Sequence, residues 1–135
     1  MTVIVTDTGF APDGWNEDFV GLADVNDATE VLDVPSDADL SDLKGNLEGL
    51  RMVRIDFPSS ADGRGFTIAR QLRLMGYDGR LRARGHVIAD QYAMARRSGF
   101  DEVEIDDELA ARQPEDQWKF RAQWQAHDYQ ARLRG

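Results

Sequence analysis

The sequence predicts an α/β fold made of consecutive right-handed βαβ units. Between residues 54 and 104, a short apolar run, a Gly-containing polar loop and an amphipathic helical pattern follow one another twice in succession. Strand and helix patterns that alternate at this spacing are typical of a parallel sheet, whose crossover connections are right-handed. The alternating run at residues 2–7, followed by turn residues, predicts a hairpin-like lead-in. We therefore expect a small parallel sheet, half-barrel-like or flavodoxin-like, behind an N-terminal hairpin.

The elements before the core are less clearly patterned. T-G-F-A-P-D-G-W, after the first strand, is typical of a turn, and its Trp15 is a candidate packing anchor. E-V-L-D-V, at residues 30–34, predicts a short strand. Ser36 or Asp37 can cap a helix whose leucines recur at helical spacing: Leu40, Leu43, Leu47 and Leu50.

The core itself predicts three adjacent parallel strands, at residues 52–57, 80–84 and 102–105. Helices near residues 64–75 and 87–98 join them. The carboxyl ends of parallel strands meet at one edge of a sheet, where α/β proteins bind ligands. That edge is therefore where we expect a functional site.

A C-terminal helical segment follows the core. One stretch ends at Pro114, and a last helix is predicted over residues 115–133. Its apolar side chains form two adjacent stripes: Trp118, Ala122, Tyr129 and Leu133, beside Phe120, Trp124 and Ala131. A face this wide favours docking on the domain, or else contact with a partner protein or with a second subunit in a homodimer.

Length and composition predict one globular domain over residues 1–135. It consists of an acidic lead-in (1–50), the βαβ core (51–106) and the helical segment (107–135). No apolar run approaches the roughly 20 residues that cross a bilayer, and the N-terminus lacks a signal-peptide pattern, so we expect a cytoplasmic protein without membrane contact. The absence of cysteine excludes thiol redox chemistry and Cys-ligated clusters.

Charge is segregated along the chain. Residues 1–50 hold twelve acidic side chains and one base, Lys44, whereas residues 51–100 hold ten arginines and four acids. Three interpretations follow: the acidic part packs against the basic part, the arginines bind a small anion, or they bind an acidic partner. Nucleic acid is not expected as a partner, because the net charge of −9 repels phosphate.

The loop after the first core strand is a candidate anion site. Asp62 can cap the next helix, and Gly63 and Gly65 allow a ligand to approach the backbone beside Arg64. G-R-G lacks the third glycine of a dinucleotide fingerprint and the G-K-[ST] of a P-loop, so it predicts no cofactor. The alternative is a capped turn whose glycines adopt positive φ.

The second core strand carries alternating arginines. Period-two spacing places Arg80, Arg82 and Arg84 on one face, with Leu81 and Ala83 on the other. One interpretation is a cross-strand ladder with Arg54, Asp56, Glu102 and Glu104. The other is that Arg82 or Arg84 converges on a bound oxyanion.

His86, Asp90 and Asp56 are the candidate catalytic residues. His86 precedes a predicted helix and Asp90 lies four residues on, so the two could form the His–Asp pair of a general base. Local hydrogen bonding at the helix start is the alternative. The only other histidine is His127, and the spacing matches no metal-ligand motif, so no metal site is predicted.

Three runs within residues 50–105 resemble a bacterial family, domain-of-unknown-function family nine hundred and thirty-four. They are F-P-S-S-A-D-G-R-G-F-T-I-A-R-Q-L-R, G-Y-D-G-R-L-R-A-R-G-H-V-I-A-D-Q and R-S-G-F-D-E-V-E. The resemblance implies an association with assimilatory sulfite reductase and the label of a probable oxidoreductase. We expect an accessory protein of sulfite or sulfate reduction, without a cofactor or redox chemistry of its own, that binds sulfite reductase, another sulfur-assimilation protein or a small oxyanion. The first alternative is a small enzyme whose site at the carboxyl edge is built from six side chains: Asp56, Asp62, Arg64, Arg84, His86 and Asp90. The second is a purely structural subunit.

Overall fold

The computed structural model describes residues 2–15, 17–26, 28–43 and 47–122. Its backbone forms one seven-stranded sheet. The strands are β1 (Thr2–Thr6), β2 (Gly9–Pro12), β3 (Val20–Gly21), β4 (Val31–Val34), β5 (Met52–Phe57), β6 (Arg80–Gly85) and β7 (Glu102–Asp106).

The predicted parallel sheet is confirmed. The strands lie in the order β2-β1-β7-β6-β5-β4-β3, and β3 to β7 are parallel to one another. The predicted lead-in is also confirmed, because β1 and β2 form an antiparallel hairpin whose first strand pairs antiparallel with β7. The lead-in therefore extends the core sheet at the β7 side, while β3 and β4 extend it at the β5 side.

Four helices accompany the sheet: α1 (Arg64–Leu74), α2 (Tyr92–Ser98), α3 (Asp107–Arg112) and α4 (Glu115–Arg121). A 3₁₀ turn, Ala89–Gln91, leads into α2. Helices α1 and α2 contact each other, so both crossovers lie on one face of the sheet. This one-sided arrangement differs from the flavodoxin-like alternative, because flavodoxin-like sheets carry helices on both faces.

The hydrophobic core lies between that face and the helices. Alternate residues of β5, namely Val53, Ile55 and Phe57, point into it. The ring centre of Phe57 lies 4.9 Å from that of Phe66 on α1 and 5.8 Å from that of Phe100. These aromatic contacts fix the carboxyl end of β5 against α1, and with it the position of the loop that follows.

Several predicted elements differ from the structure. The T-G-F-A-P stretch forms β2 as well as a turn, because its backbone pairs with β1. The helix expected after Ser36 is described only in part, since residues 44–46 lie outside the described residues. Its described part includes a 3₁₀ turn, Leu40–Leu43, in which both leucines are buried. The short strand expected at residues 30–34 is confirmed as β4.

Of the last helix predicted over residues 115–133, the described part is α4, Glu115–Arg121, with Ala122 at its C-cap position. Its Trp118 is completely buried, and the Trp118 ring centre lies 6.1 Å from that of Tyr92 on α2. Phe120 is exposed. Trp124, His127, Tyr129, Ala131 and Leu133 lie outside the described residues. In the described part of the chain, every helix is too short or too polar to cross a bilayer.

Candidate functional site

A pocket of about 290 Å³ lies at the carboxyl ends of β5, β6 and β7. Three sequence-predicted residues line it together: Asp56, Arg84 and His86. Asp56 and Arg84 are register partners on β5 and β6, and His86 follows directly on the end of β6. The parallel register thus places a carboxylate and a guanidinium side by side, with an imidazole two residues beyond the guanidinium.

Gly85 holds the two strand ends close together. Its φ is +117°, and a Cβ at this position would lie 2.5 Å from the carbonyl oxygen of Phe57. The His86 amide donates a hydrogen bond to that same oxygen over 2.9 Å. Only glycine tolerates both the left-handed backbone and the close approach. The backbone of Gly85 therefore determines how Arg84 and His86, on either side of it, are oriented at the pocket.

Arg112, at the end of α3, lines the same pocket and was missed by the sequence analysis. Its side chain is exposed, and within the described residues no hydrogen bond or ion pair engages its guanidinium. Helix α3 begins directly after β7, where Asp106 caps it by accepting the Leu109 amide over 2.8 Å. The sequence could have indicated Arg112, because a short helix that starts at the carboxyl end of a strand stays near that edge of the sheet.

The pocket carboxylates differ in how far they are already neutralised. Glu104 accepts hydrogen bonds from Arg54 and Arg82 and forms an ion pair with Arg84 Nε at 3.4 Å. Asp56, by contrast, has no ion-pair partner among the described residues. The pocket therefore offers two accessible guanidiniums, an imidazole and one unpaired carboxylate.

The polar face of the sheet carries the predicted ladder of charges. Arg54, Arg82 and Glu102 are register neighbours, and Arg54 also donates to Asp33 over 2.8 Å. Leu81 and Ala83 point to the opposite face and are buried in the core. The ladder interpretation thus holds for all three arginines of the strand, Arg80, Arg82 and Arg84, because each pairs with Glu102 or Glu104. Asp56 stays outside the ladder.

Arg82 cannot serve as the accessible oxyanion ligand that the sequence suggested. Its side chain is completely buried, with Nε 2.6 Å from Glu102 Oε2 and Nη1 2.8 Å from Glu104 Oε1. Burial by itself lowers the pKa of the Arg82 guanidinium, but these carboxylates outweigh it and raise the pKa above its usual value. Arg84 remains the strand's accessible base at this edge, since 47% of its side chain is exposed.

Residues 13–15 and 17–19, which we term the strap, cover the polar face. Asp13 lies 3.3 Å from Arg82 Nη1, and the Phe19 ring centre lies 3.7 Å from the Arg54 guanidinium carbon. The Trp15 ring centre lies 5.5 Å from the guanidinium carbon of Arg80, which stacks on the ring. Acidic residues of the lead-in therefore neutralise arginines of the core, which was one of the three interpretations of the charge segregation.

The G-R-G loop forms a closed unit away from the pocket lining. Arg64 donates to Asp62 Oδ2 over 2.7 Å and to the Ser36 hydroxyl over 3.1 Å. Hydrogen bonds from Arg64 hold the pKa of the Asp62 carboxyl well below its usual range. Asp62 also accepts the Arg64 amide, although the residue at the N-cap position of α1 is Gly63.

The glycines of this loop serve packing. Neither Gly63 nor Gly65 has a positive φ, so the expectation of a left-handed turn was wrong. A Cβ on Gly65 would lie 2.5 Å from the Phe57 ring. Gly65 is therefore required where α1 meets the end of β5.

The predicted His86–Asp90 pair does not form. Asp90 instead accepts a hydrogen bond from Arg121 on α4 over 2.9 Å. In the described part of the chain, the His86 side chain has no hydrogen-bond partner. Of the six side chains proposed for an enzyme site, Asp56, Arg84 and His86 share the pocket, while Asp62, Arg64 and Asp90 are paired elsewhere.

A second pocket, of about 410 Å³, adjoins the first. Asp56 and Arg84 line both pockets, so the two meet at these side chains, and we term the two pockets together the groove. The remaining lining is mostly apolar and comes from the ends of β3 and β4 and the turn after β3: Gly21, Leu22, Ala23, Asp33, Val34 and Pro35. No group of three His, Asp or Glu side chains among the described residues is arranged to hold a metal ion.

The family to which this sequence belongs follows from a match over most of its length. Residues 31–134 match the model of a family described as "Bacterial protein of unknown function (DUF934)". The chain belongs to this family. The match includes β4, the whole βαβ core and the described part of the C-terminal segment. No curated protein and no solved structure matches the chain. The DUF934 description assigns no activity.

Proposed function

We propose that this protein is a cytoplasmic accessory protein of assimilatory sulfite or sulfate reduction that binds a small oxyanion at the carboxyl edge and has no redox chemistry of its own. The observation that supports oxyanion binding is that two accessible guanidiniums, Arg84 and Arg112, line one pocket together with His86. Planar guanidiniums suit the oxygens of an oxyanion, and His86 can add an N–H donor. The assignment to sulfur assimilation rests on the association that the family resemblance implies.

The rest of the pocket supports an anion in spite of its carboxylates. Glu104 is neutralised by Arg54 and Arg82, which are themselves inaccessible or half-buried, and Asp106 is engaged as the cap of α3. Arg84 and Arg112 are thus the two guanidiniums of the lining that a ligand can reach, although Arg84 also pairs with Glu104. Two accessible guanidiniums favour an anion of one or two charges, held weakly because the site is open to water and carboxylates lie nearby.

Calorimetric titration with sulfite, sulfate and phosphate at low ionic strength tests the binding. We expect millimolar dissociation constants for the wild type and at least fivefold weaker binding for Arg84→Ala and Arg112→Ala. Arg70→Ala is the matched control, because Arg70 is an exposed arginine of α1 that does not line the pocket. Equal binding by all four proteins would contradict the proposal.

The cellular role is tested separately. A deletion strain should grow poorly on sulfate and normally on cysteine, and the tagged protein should capture sulfite reductase or another sulfur-assimilation protein from its host. Normal growth of the deletion strain on sulfate would contradict a role in assimilation, whatever the result of the titrations.

A second candidate function is a small enzyme, favoured by the presence of Asp56, Arg84 and His86 in one pocket. A carboxylate and an imidazole without other partners are available for proton transfer. Turnover of a nicotinamide cofactor in the presence of sulfite, lost in His86→Ala, would support this function. It would also contradict the proposed absence of redox chemistry.

A further inference from the structure

The two adjoining pockets differ in the polarity of their lining residues, and their volumes indicate the size of the ligand. The first combines Arg84, His86 and Arg112 with apolar side chains such as Phe57 and Leu109, whereas the second is lined mainly by Leu22, Val34 and Pro35. An inorganic oxyanion the size of sulfate occupies on the order of two or three water volumes, or roughly 60–90 Å³. Either pocket is several times larger, so an inorganic anion leaves most of the groove to solvent.

We infer that the groove takes a small organic oxyanion, whose charged head binds at Arg84 and Arg112 and whose apolar body lies in the second pocket. This inference rests on the proposed function and narrows its ligand class. The position of Arg84 supports this inference, because Arg84 lines both pockets and is the one cationic residue in the described lining of the second. A head bound at Arg84 therefore lies where the two pockets meet, with room for its substituent in the second.

The shape of the second pocket agrees with an apolar body of a few carbon atoms. Its volume of about 410 Å³ lies within the range of small-molecule sites. The described lining offers two charged side chains besides Arg84, and one of them, Asp33, is already paired with Arg54. Burying methylene groups here removes apolar surface from water, and Asp56 is the one unpaired charged side chain of the described lining that would lose water contact.

Gly21 provides a direct way to fill the second pocket. An added Cβ at this position meets nothing within 4 Å, and the backbone, with φ −68° and ψ 155°, suits any residue. Gly21→Leu therefore adds a side chain at the lining of the second pocket without backbone strain. Gly14→Leu is the matched control, since a Cβ on Gly14 also meets nothing within 4 Å and Gly14 lines neither pocket.

The experiment titrates the full-length protein with sulfate, methanesulfonate, ethanesulfonate and butanesulfonate. Each added methylene should tighten binding two- to fourfold, because burying one contributes about 0.8 kcal/mol when the burial is complete. Butanesulfonate, which has three more methylenes than methanesulfonate, should thus bind roughly eight- to sixtyfold more tightly. Gly21→Leu should abolish this gain and leave sulfate binding unchanged, whereas Gly14→Leu should retain both.

The outcomes separate the inference from the proposed function. Sulfate binding that depends on Arg84, together with equal affinity along the sulfonate series, would overturn the inference and leave the proposed function intact. Absence of binding by every anion would overturn both. If Gly21→Leu does not fold, Ala23→Leu, at an exposed position of the same lining, replaces it as the filling variant.

Discussion

Asp56 and Arg84 are register partners on two neighbouring parallel strands, and both line each of the two pockets at the carboxyl edge. Arg84 forms an ion pair with Glu104, whereas Asp56 has no ion-pair partner among the described residues. The groove is thus centred on an accessible cation and an unpaired anion. Its preference for a ligand depends on the balance between these two side chains.

Removing the Asp56 charge should strengthen anion binding. A carboxylate beside a bound anion costs about 1 kcal/mol at about 4 Å in water, which corresponds to roughly fivefold in affinity. Asp56→Asn should therefore bind sulfate about fivefold more tightly at low salt, and less than twofold more tightly at 1 M salt. Asp78→Asn, at an exposed position outside both pockets, should leave the affinity unchanged. Weaker binding by Asp56→Asn would mean that its carboxylate contributes to holding the ligand.

The buried charge ladder should be sensitive to the loss of one partner. Arg82→Met removes the guanidinium that Glu102 and Glu104 both contact and leaves two buried carboxylates without it. We expect a decrease of about 3–5 kcal/mol in the free energy of unfolding, measured with urea. Arg97→Met, at an exposed position of α2, should change it by less than about 0.5 kcal/mol. A loss below 1 kcal/mol for Arg82→Met would show that the ladder contributes little to stability.

The two glycines of the G-R-G loop should respond differently to alanine. A Cβ on Gly65 meets three atoms of the Phe57 ring within 2.9 Å, while one on Gly63 meets only an ordinary contact at 3.8 Å. Gly65→Ala should therefore destabilise the protein by about 1–3 kcal/mol through overpacking. Gly63→Ala should cost about 1 kcal/mol or less, since its φ of −91° is accessible to alanine. Thermal unfolding of the two variants side by side makes the comparison, and equal melting temperatures would refute it.

Alkaline pH should destabilise the fold through two tyrosines. Burial raises the pKa of Tyr77 and of Tyr92, and the Tyr92 hydroxyl also donates to Asp7 over 2.6 Å. The folded state therefore keeps these protons where the unfolded chain, with a tyrosine pKa of about 10, loses them. The stabilisation is complete below about pH 10 and falls above it by about 1.4 kcal/mol per pH unit for each tyrosine.

Tyr92→Phe removes one of these two contributions. Its free energy of unfolding should fall less steeply than that of the wild type between about pH 10 and pH 11, although it is lower at pH 7 because the bond to Asp7 is lost. Urea unfolding at several pH values measures both slopes. Parallel curves for the two proteins would show that Tyr92 does not titrate with unfolding.

The parallel core could be predicted from the sequence because its signals are local. The strands at β5, β6 and β7 and their two crossovers follow from hydrophobic period and loop composition. The one-sided placement of the helices could not be predicted in this way. It depends on Arg54, Arg82 and Glu104 forming a charged second face that the strap covers, and the strap has no regular pattern of its own.

The candidate site could be predicted only in part, for a related reason. The carboxyl ends of parallel strands identify Asp56, Arg84 and His86, because register and strand direction bring them together. The ion pairs that charged side chains form cannot be predicted from local sequence, because the partners often lie far apart along the chain. The arginine of the G-R-G loop closes on its own Asp62, Asp90 binds Arg121 from a later helix, and Arg112 reaches the pocket from α3.

The most direct test of the account is to locate a bound oxyanion by two-dimensional NMR of uniformly labelled protein titrated with sulfite to millimolar concentration. We expect the largest shift changes at the backbone amides of Gly85 and His86 and at the Arg84 and Arg112 side chains, with the Arg84→Ala variant losing the changes at Gly85 and His86. Shift changes confined to Gly63 and Arg64, or none at the carboxyl edge, would contradict the oxyanion site.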